Sequence, residues 1–391
     1  MVTSSGLVEM LRQVAVAAGS TGFGVAGVGP FADVAAELHR RRGDGSNNGL
    51  TFTYRQPDIA TDVRRTHPWA QRLVVLSHAY LPAAGSPGPS RPGTGRVARF
   101  ATADHYRPLR LALAAVADRL RMAGNRGEVL CDDARLVDRA AAVRAGVGWW
   151  GKNAMVLAPS VGPWLLLGSV VTDAELPVTA PMERGCGSCS ACLPACPTGA
   201  LVAPGVLDAR RCLAAIAQQP GSIPRQFRAA MGDRVYGCDD CIEACPPGSR
   251  LLARSGAETG RVDLVALLDT DDDTLRRDLG HWYLPKADPV VIRRNALVAL
   301  GNTGGAAEVP TLARYLSHHR PVLRLHAAWA LGVIGSAAAR RALTVAMPDE
   351  RHPDVRNEIE LALVRGHGNG NDAPGAHTST VTLPLPVRRS R

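Results

Sequence analysis

Four cysteines fall within the stretch "CGSCSACLPACP", at Cys186, Cys189, Cys192 and Cys196, with Pro197 directly after the last. Bacterial ferredoxins use this C-x2-C-x2-C-x3-C-P spacing: a tight loop turns three thiolates onto one 4Fe-4S cube, and the fourth ligates a second cube. A second run, "YGCDDCIEACPPG", supplies Cys238, Cys241 and Cys245 followed by Pro246, one thiolate short of the first. Cys212 lies between the runs and fills the missing place. Of the nine cysteines only Cys131 is then left over, so eight close two sets of four. The interleaving rule puts Cys186, Cys189, Cys192 and Cys245 on one cluster, and Cys196, Cys212, Cys238 and Cys241 on the other. Zinc is the structural alternative, because C-x2-C pairs also build tetrahedral zinc sites. The ferredoxin spacing and the closed count favour two 4Fe-4S clusters. Such clusters carry electrons, and an acceptor must lie elsewhere in the chain.

A chain of 391 residues is too long for one ordinary core, so several domains must position these ligands. Residues 5–80 read as mixed helix and strand: a helix from Gly6 to Ala18, then "GFGVAGV" and "RLVVLSHAY" as buried strands. A Pro/Gly loop covers 82–95. Helices follow over about 108–123 and 135–145, then the strand-like segments "AMVLA" and "WLLLGSVVT". The cysteine segment, 182–250, has little apolar periodicity, so something other than a hydrophobic core must hold it. From 289 a repeat begins: "VIRRNALVALGNTG" (291–304) aligns with "VLRLHAAWALGVIG" (322–335) and more faintly with "DVRNEIELAL" (354–363), a period of about 31 as in HEAT-type solenoids. Two unrelated amphipathic helices are the plainer alternative. The predicted fold class is multidomain α/β + α: an N-terminal α/β domain (1–175), a ferredoxin-like two-cluster module (176–255), HEAT-like helical repeats (256–365) and a disordered tail (366–391).

No stretch approaches the roughly twenty apolar residues needed to span a bilayer. The N-terminus lacks the basic, apolar and small-residue succession of a secretory signal. Nine cysteines without a disulfide framework fit a reducing cytosol, so the expected location is cytoplasmic, with no membrane partner. The net charge of +10 suits a polyanionic partner such as a nucleic acid. Lysine occurs only at Lys152 and Lys286, however, and part of the arginine sits in "HRRRG" and "VRRSR", where a solvated run is the plainer reading.

Three segments carry a family resemblance: "CDDARLVDRAAAVRAGVGWWGKN" from Cys131 to Asn153, "YGCDDCIEACP", and "HWYLPKADPVVIRRNALVALGN" from His281 to Asn302. With the two-cluster segment they resemble the epoxyqueuosine reductases, cobalamin-dependent iron-sulfur enzymes of tRNA modification. The resemblance runs continuously from about Arg96 to Asn302. It implies that the α/β domain binds cobalamin, that a low-potential donor feeds electrons through the clusters to it, and that the repeats help to hold a tRNA carrying epoxyqueuosine in its anticodon. A monomer is the expected state. The reaction the resemblance implies converts the substrate epoxide to an alkene with two electrons and two protons, releasing water. The motif match places the family's proton-donating aspartate on Asp132, which is chemically apt: a general acid helps a poor alkoxide leaving group, and a shielded carboxyl stays protonated near neutrality. On local sequence alone, Asp132 reads equally well as a cap of the helix beginning near Arg135.

The resemblance further assigns cofactor contacts to Asp132, Lys152, Asn153, Val156, Leu167 and Asp239. By residue type, Val156 and Leu167 read as core and Lys152 as a surface lysine. Arg293, Arg294 and Arg324 recur at repeat positions and are candidates for tRNA phosphates, the alternative being solenoid arginines bonded to neighbouring helices. The sequence departs from the family at Asp104-His105-Tyr106, where an Asp-Tyr-His triplet is usual, and it offers no D-x-H-x-x-G histidine as an axial cobalt ligand. A reductive-dehalogenase-like cobalamin enzyme and a ferredoxin-type electron carrier are the competing functions.

Overall fold

The computed structural model describes residues 3–81, 92–255 and 260–365. The tail expected over 366–391 and most of the loop expected over 82–95 lie outside the described residues. "LLLGSVVT" forms the strand Leu165–Thr172, buried at all eight positions because both its faces are covered. It pairs antiparallel with Arg72–Ala79 on one side and Gly127–Leu130 on the other, and Arg72–Ala79 pairs antiparallel with Gly22–Gly27. Side chains alternate across the sheet as strand geometry requires. Val74, Leu76, Leu166 and Val170 pack with Leu7 and Leu11 of helix Ser4–Ala17 and with Leu109, Leu113 and Val116 of helix Tyr106–Met122. Leu73, Val75, Leu165, Leu167 and Val171 pack instead with Ala140, Ala141 and Ala142 of helix Asp138–Arg144, whose small residues let it lie close. The α/β domain is therefore built on a wholly antiparallel sheet covered on both faces.

A second sheet crosses the expected domain limits. Its central strand, Thr94–Val97, runs parallel to Arg234–Tyr236 and antiparallel to Gly260–Asp263, one strand from each of the three expected segments. The ring of Tyr236 stacks on Trp282 at 4.6 Å, and the indole N–H of Trp282 donates to the carbonyl of Ala101 at 2.8 Å.

Part of the cysteine segment does have apolar support, contrary to the expectation from its weak periodicity. Leu213, Ile216, Phe227, Met231 and Val235 are buried in one core with Leu264, Leu268, Ile292, Leu297 and Ala327. The periodicity fails there because the helices Leu213–Gln218 and Arg225–Met231 are each only two turns or fewer.

The repeat consists of helices Val290–Thr303, Pro321–Ile334 and Pro353–Arg365, with the shorter Val309–Arg314 and Ala337–Ala346 between them. The shared Leu-Gly position explains their close stacking. A Cβ on Gly301 would meet Ala330 at 2.8 Å, and one on Gly332 would meet Ala362 at 2.5 Å. Any side chain at either position would push successive helices apart.

Candidate cluster and active sites

The first cysteine set comes from an exposed loop (Cys186, Cys189), from the start of the short helix Cys192–Ala195, and from Cys245 some fifty residues on. Burial pushes the Cys245 thiol up to about 11, and the neighbouring charges that add to the shift are those of Cys186, Cys192 and Cys189. Burial likewise raises Cys192, with Cys186 and Cys189 beside it. In the second set, burial raises Cys238 to about 12, with Asp240 and then Cys212 adding to the effect. Cys241 is raised further by burial and by Cys238, Cys212 and Cys196, with Cys192 behind them. Cys212 precedes helix Leu213–Gln218; burial raises its thiol, the N–H groups of Ala215 and Ala214 oppose that, and Cys196 is its cysteine neighbour. The cysteine neighbours of each thiol come mostly from its own expected set, with Cys192 beside Cys241 as the crossing between them. No three His, Cys, Asp or Glu side chains among the described residues converge as ligands of one ion do. In a 4Fe-4S cube each thiolate binds a different iron, which spreads the sulfurs apart.

Asp132 follows strand Gly127–Leu130 and adopts a left-handed conformation, φ 53°, which aspartate tolerates better than most residues. Its carboxyl is open to solvent by surface area, yet the surrounding protein desolvates it enough to raise its pKa, with Arg110 opposing and Asp133 adding. The carboxyl is thus reachable, though its surroundings partly desolvate it. No side chain holds the Asp132 carboxylate among the described residues. Asp132 caps no helix, and its neighbour closes only a local turn. Asp133 accepts from the backbone N–H of Arg135 at 2.8 Å and pairs with its guanidinium, while the helix starts only at Asp138. The capping alternative for Asp132 is thereby removed.

Around Asp132 stand groups that sequence reasoning passed over. Asp138 is raised well above the usual carboxylate range by burial, with Asp132 adding, and one of its carboxyl oxygens has no partner. An acidic first residue of a helix is commonplace and gave no signal. Tyr106, from the departing triplet, is raised by burial and then by Asp132 and Asp138, so its phenol faces the same acidic group. His105 lies against the Tyr80 ring at 5.9 Å, and burial lowers its pKa.

The other expected cofactor contacts are more deeply engaged. Val156 and Leu167 are 2% and 8% exposed in the core under the first sheet. Asp239 is 7% exposed, with burial pushing it up to about 6, and it accepts from the Arg99 backbone N–H at 2.8 Å. Asn153 is buried, its Oδ1 accepting from Met155 and its Nδ2 unpartnered. Lys152 lies against the first cysteine loop, with Nζ donating to the carbonyl of Gly187 at 2.7 Å.

The arginines expected to face phosphates need correction. Arg294 is 1% exposed and donates to the carbonyls of Ile216, Ala217, Gln219 and Gly221. Arg293 is 7% exposed and bonds Leu268, Thr270 and Asp272. Arg324 makes a two-pronged pair with Glu350 at 2.6 and 2.8 Å. All three are the solenoid arginines of the alternative reading, and their donors are spent inside the protein.

A family model described as a 4Fe-4S double cluster binding domain matches residues 185–248, and one for HEAT repeats matches 278–364. The epoxyqueuosine reductase of Bacillus subtilis is 33% identical over 330 residues, 81% of this chain and 85% of the relative. The chain belongs to the epoxyqueuosine reductase family. Its fold is the family's too: a crystal structure of epoxyqueuosine reductase with an epoxyqueuosine-modified tRNA-Tyr stem loop superposes with a TM-score of 0.80 at 28% identity, over 91% of this chain and 98% of that one. A Bacillus subtilis epoxyqueuosine reductase structure, with an aspartate-bearing catalytic loop swung out of the active site, gives 0.79 at 29% identity and the same coverage. Family membership sets aside the dehalogenase-like and electron-carrier alternatives.

Proposed function

We propose that the protein reduces epoxyqueuosine to queuosine in tRNA, with electrons passing through two 4Fe-4S clusters to cobalamin and Asp132 giving the proton. Family membership supports the reaction, and the relative crystallised with a modified stem loop supports tRNA as the substrate. The observation that carries the residue assignment is the Asp132 carboxyl: reachable, held by no side chain, and raised in pKa by its surroundings. The reaction consumes two electrons and two protons per epoxide, and Asp132 protonates the oxygen that leaves. Cobalamin, when bound, supplies electrons to the substrate carbon skeleton. Of the residues the resemblance assigns to it, Asp132 and the buried Nδ2 of Asn153 present unengaged polar groups among the described residues; Val156 and Leu167 would support it only from the core beneath. The proposed setting is the cytoplasm, with a monomeric enzyme fed by a low-potential electron donor. No helix among the described residues is long and apolar enough to cross a membrane. With Arg293 and Arg294 buried, phosphate contacts on the repeats fall to Arg341 and Arg351, which line one recess with His318 and His319.

The test is Asp132→Asn, assayed anaerobically on tRNA bearing epoxyqueuosine with nucleoside analysis for queuosine. The variant keeps the side chain's shape but has no acidic proton, so turnover falls about a hundred- to ten-thousand-fold while cofactor content and tRNA affinity hold. Cys131→Ser is the control and stays active. Because the Asp132 pKa is raised, wild-type turnover declines as pH rises through that pKa, and this limb vanishes in the variant's residual rate. Near-normal queuosine formation by the variant removes Asp132 from the mechanism.

A further inference from the structure

The turn "GWWGKN" is built tightly. Gly151 donates to the carbonyl of Met155 at 2.8 Å, and Ala154 closes the turn at φ 62°. A Cβ on Gly151 would meet Leu157 at 2.2 Å and the Asn153 amide oxygen at 2.5 Å, so the backbone here has one place to go. Trp149 and Leu157, flanking the turn, pack with Cys245 of the first cysteine set. Lys152 lies at its tip and is tied to the cysteine segment three times. Its backbone N–H donates to Sγ of Cys186 at 3.4 Å, its ammonium donates to the carbonyl of Gly187 at 2.7 Å, and its own carbonyl accepts from Gly205 at 2.8 Å. Its positive charge also acts on Cys192. One of only two lysines in the chain is thus pinned beside the ligands of one cluster.

We propose that Lys152 sets the reduction potential of the cluster held by Cys186, Cys189, Cys192 and Cys245. Reduction adds one negative charge to the cluster, so an N–H bonded to a ligand sulfur and a fixed cation beside the cluster both favour the reduced form and raise the potential. The effect is selective, because both bonds that Lys152 donates go to the loop of the first set. This inference rests on the iron-sulfur assignment of Cys186 and not on the identity of the substrate.

The experiment is an anaerobic redox titration, followed by EPR, of the two-cluster protein in wild-type, Lys152→Gln and Lys152→Arg forms, with iron content measured for each. The first cluster's signal is the one lost in Cys189→Ser. Glutamine keeps a donor for Gly187 but removes the charge; arginine keeps the charge. The expected result is full iron content, a shift of the first signal to more negative potential in Lys152→Gln, an unmoved second signal, and a near-wild-type potential in Lys152→Arg. An unshifted first signal in Lys152→Gln overturns the proposal, as does an equal shift of both signals. Loss of first-cluster iron in both variants also overturns it and makes Lys152 a clamp of the loop alone. Wild-type protein with no cluster signal at all fails the underlying assignment instead.

Discussion

Cys189 of the first set is exposed, in a loop open to solvent over most of 183–191, and the apolar support behind that set is the small group of Trp149, Leu157 and Cys245 with Met182 against it. Two members of the second set stand against the two largest cores among the described residues. Cys238 packs against the core shared by the repeats, and Cys241 against the core between the first sheet and its helices. Nearly identical spacings thus meet different surroundings: the first set joins exposed Cys189 to buried Cys192 and Cys245, whereas the second is half-buried throughout and leans on the larger cores. Spacing reports the chemistry of a ligand set; the packing around it decides what else losing a ligand disturbs. The set that holds exposed Cys189 is the one we expect an external electron donor to approach, and the set packed against both cores is the one whose loss the fold should register.

The sharpest way to break this comparison is to remove one ligand from each set. Cys189→Ser and Cys212→Ser should each lose one cluster, about four of eight iron atoms. Cys212→Ser should in addition lower the melting temperature more, because a cluster that anchors helix Leu213–Gln218 contributes its binding energy to the fold. Cys245→Ser should abolish the same EPR signal as Cys189→Ser. Different signals for these two would mean that the sets do not interleave, and equal melting temperatures for Cys189→Ser and Cys212→Ser would erase the distinction between the two surroundings.

Arg294 offers a smaller perturbation of the same contrast. Four carbonyls of the segment following Cys212 converge on its guanidinium, and Asn295 beside it donates to Ala217 and Val235. Arg294→Ala leaves these carbonyls buried without donors and opens a cavity, at a cost of roughly 3–5 kcal/mol. Thermal unfolding should show the loss, and iron analysis should show the second cluster affected before the first. A variant of normal stability with weakened tRNA binding would return Arg294 to the phosphate-contacting role that its burial argues against.

Sequence reading recovered what depends on spacing and period. The double-cluster segment, the strand "LLLGSVVT" and the Leu-Gly repeat are local patterns with one physical cause each. Helix Ser4–Ala17 starts two residues before the expected position because Thr3 caps it through Gly6, and helix Asp138–Arg144 starts three residues late because Asp133 turns the chain onto Arg135 first. What could not be read were partners distant in sequence. Arg294 meets residues more than seventy positions away, and Thr94–Val97 joins strands from two other segments. Nothing in "VIRRN" distinguishes an arginine facing phosphate from one that closes a core. The role of Asp132 came from the resemblance; its geometry added the absence of a side-chain partner and the removal of the capping alternative.

Arg324 marks the weak end of the comparison, since it lies one repeat period after Arg293 and contacts neither cysteine set. Its guanidinium grips Glu350, which is 6% exposed and also accepts from the backbone N–H of His352 at 2.7 Å. Hydrogen bonding from Arg324 lowers the Glu350 pKa, outweighing the opposing effect of burial. A carboxylate with a depressed folded pKa contributes stability that is complete above its unfolded value and is lost as pH falls through the folded one. Arg324→Ala should therefore cost about 1–2 kcal/mol at neutral pH, and the gap from wild type should narrow as Glu350 protonates at acid pH. Melting curves of both proteins in matched buffers, at neutrality and below about pH 4, would show the narrowing. Both EPR signals should be unchanged at neutral pH, since the pair braces the repeats against each other and nothing else. A gap that stays constant as the pH falls would mean that Arg324 stabilises through its aliphatic packing and not through its charge.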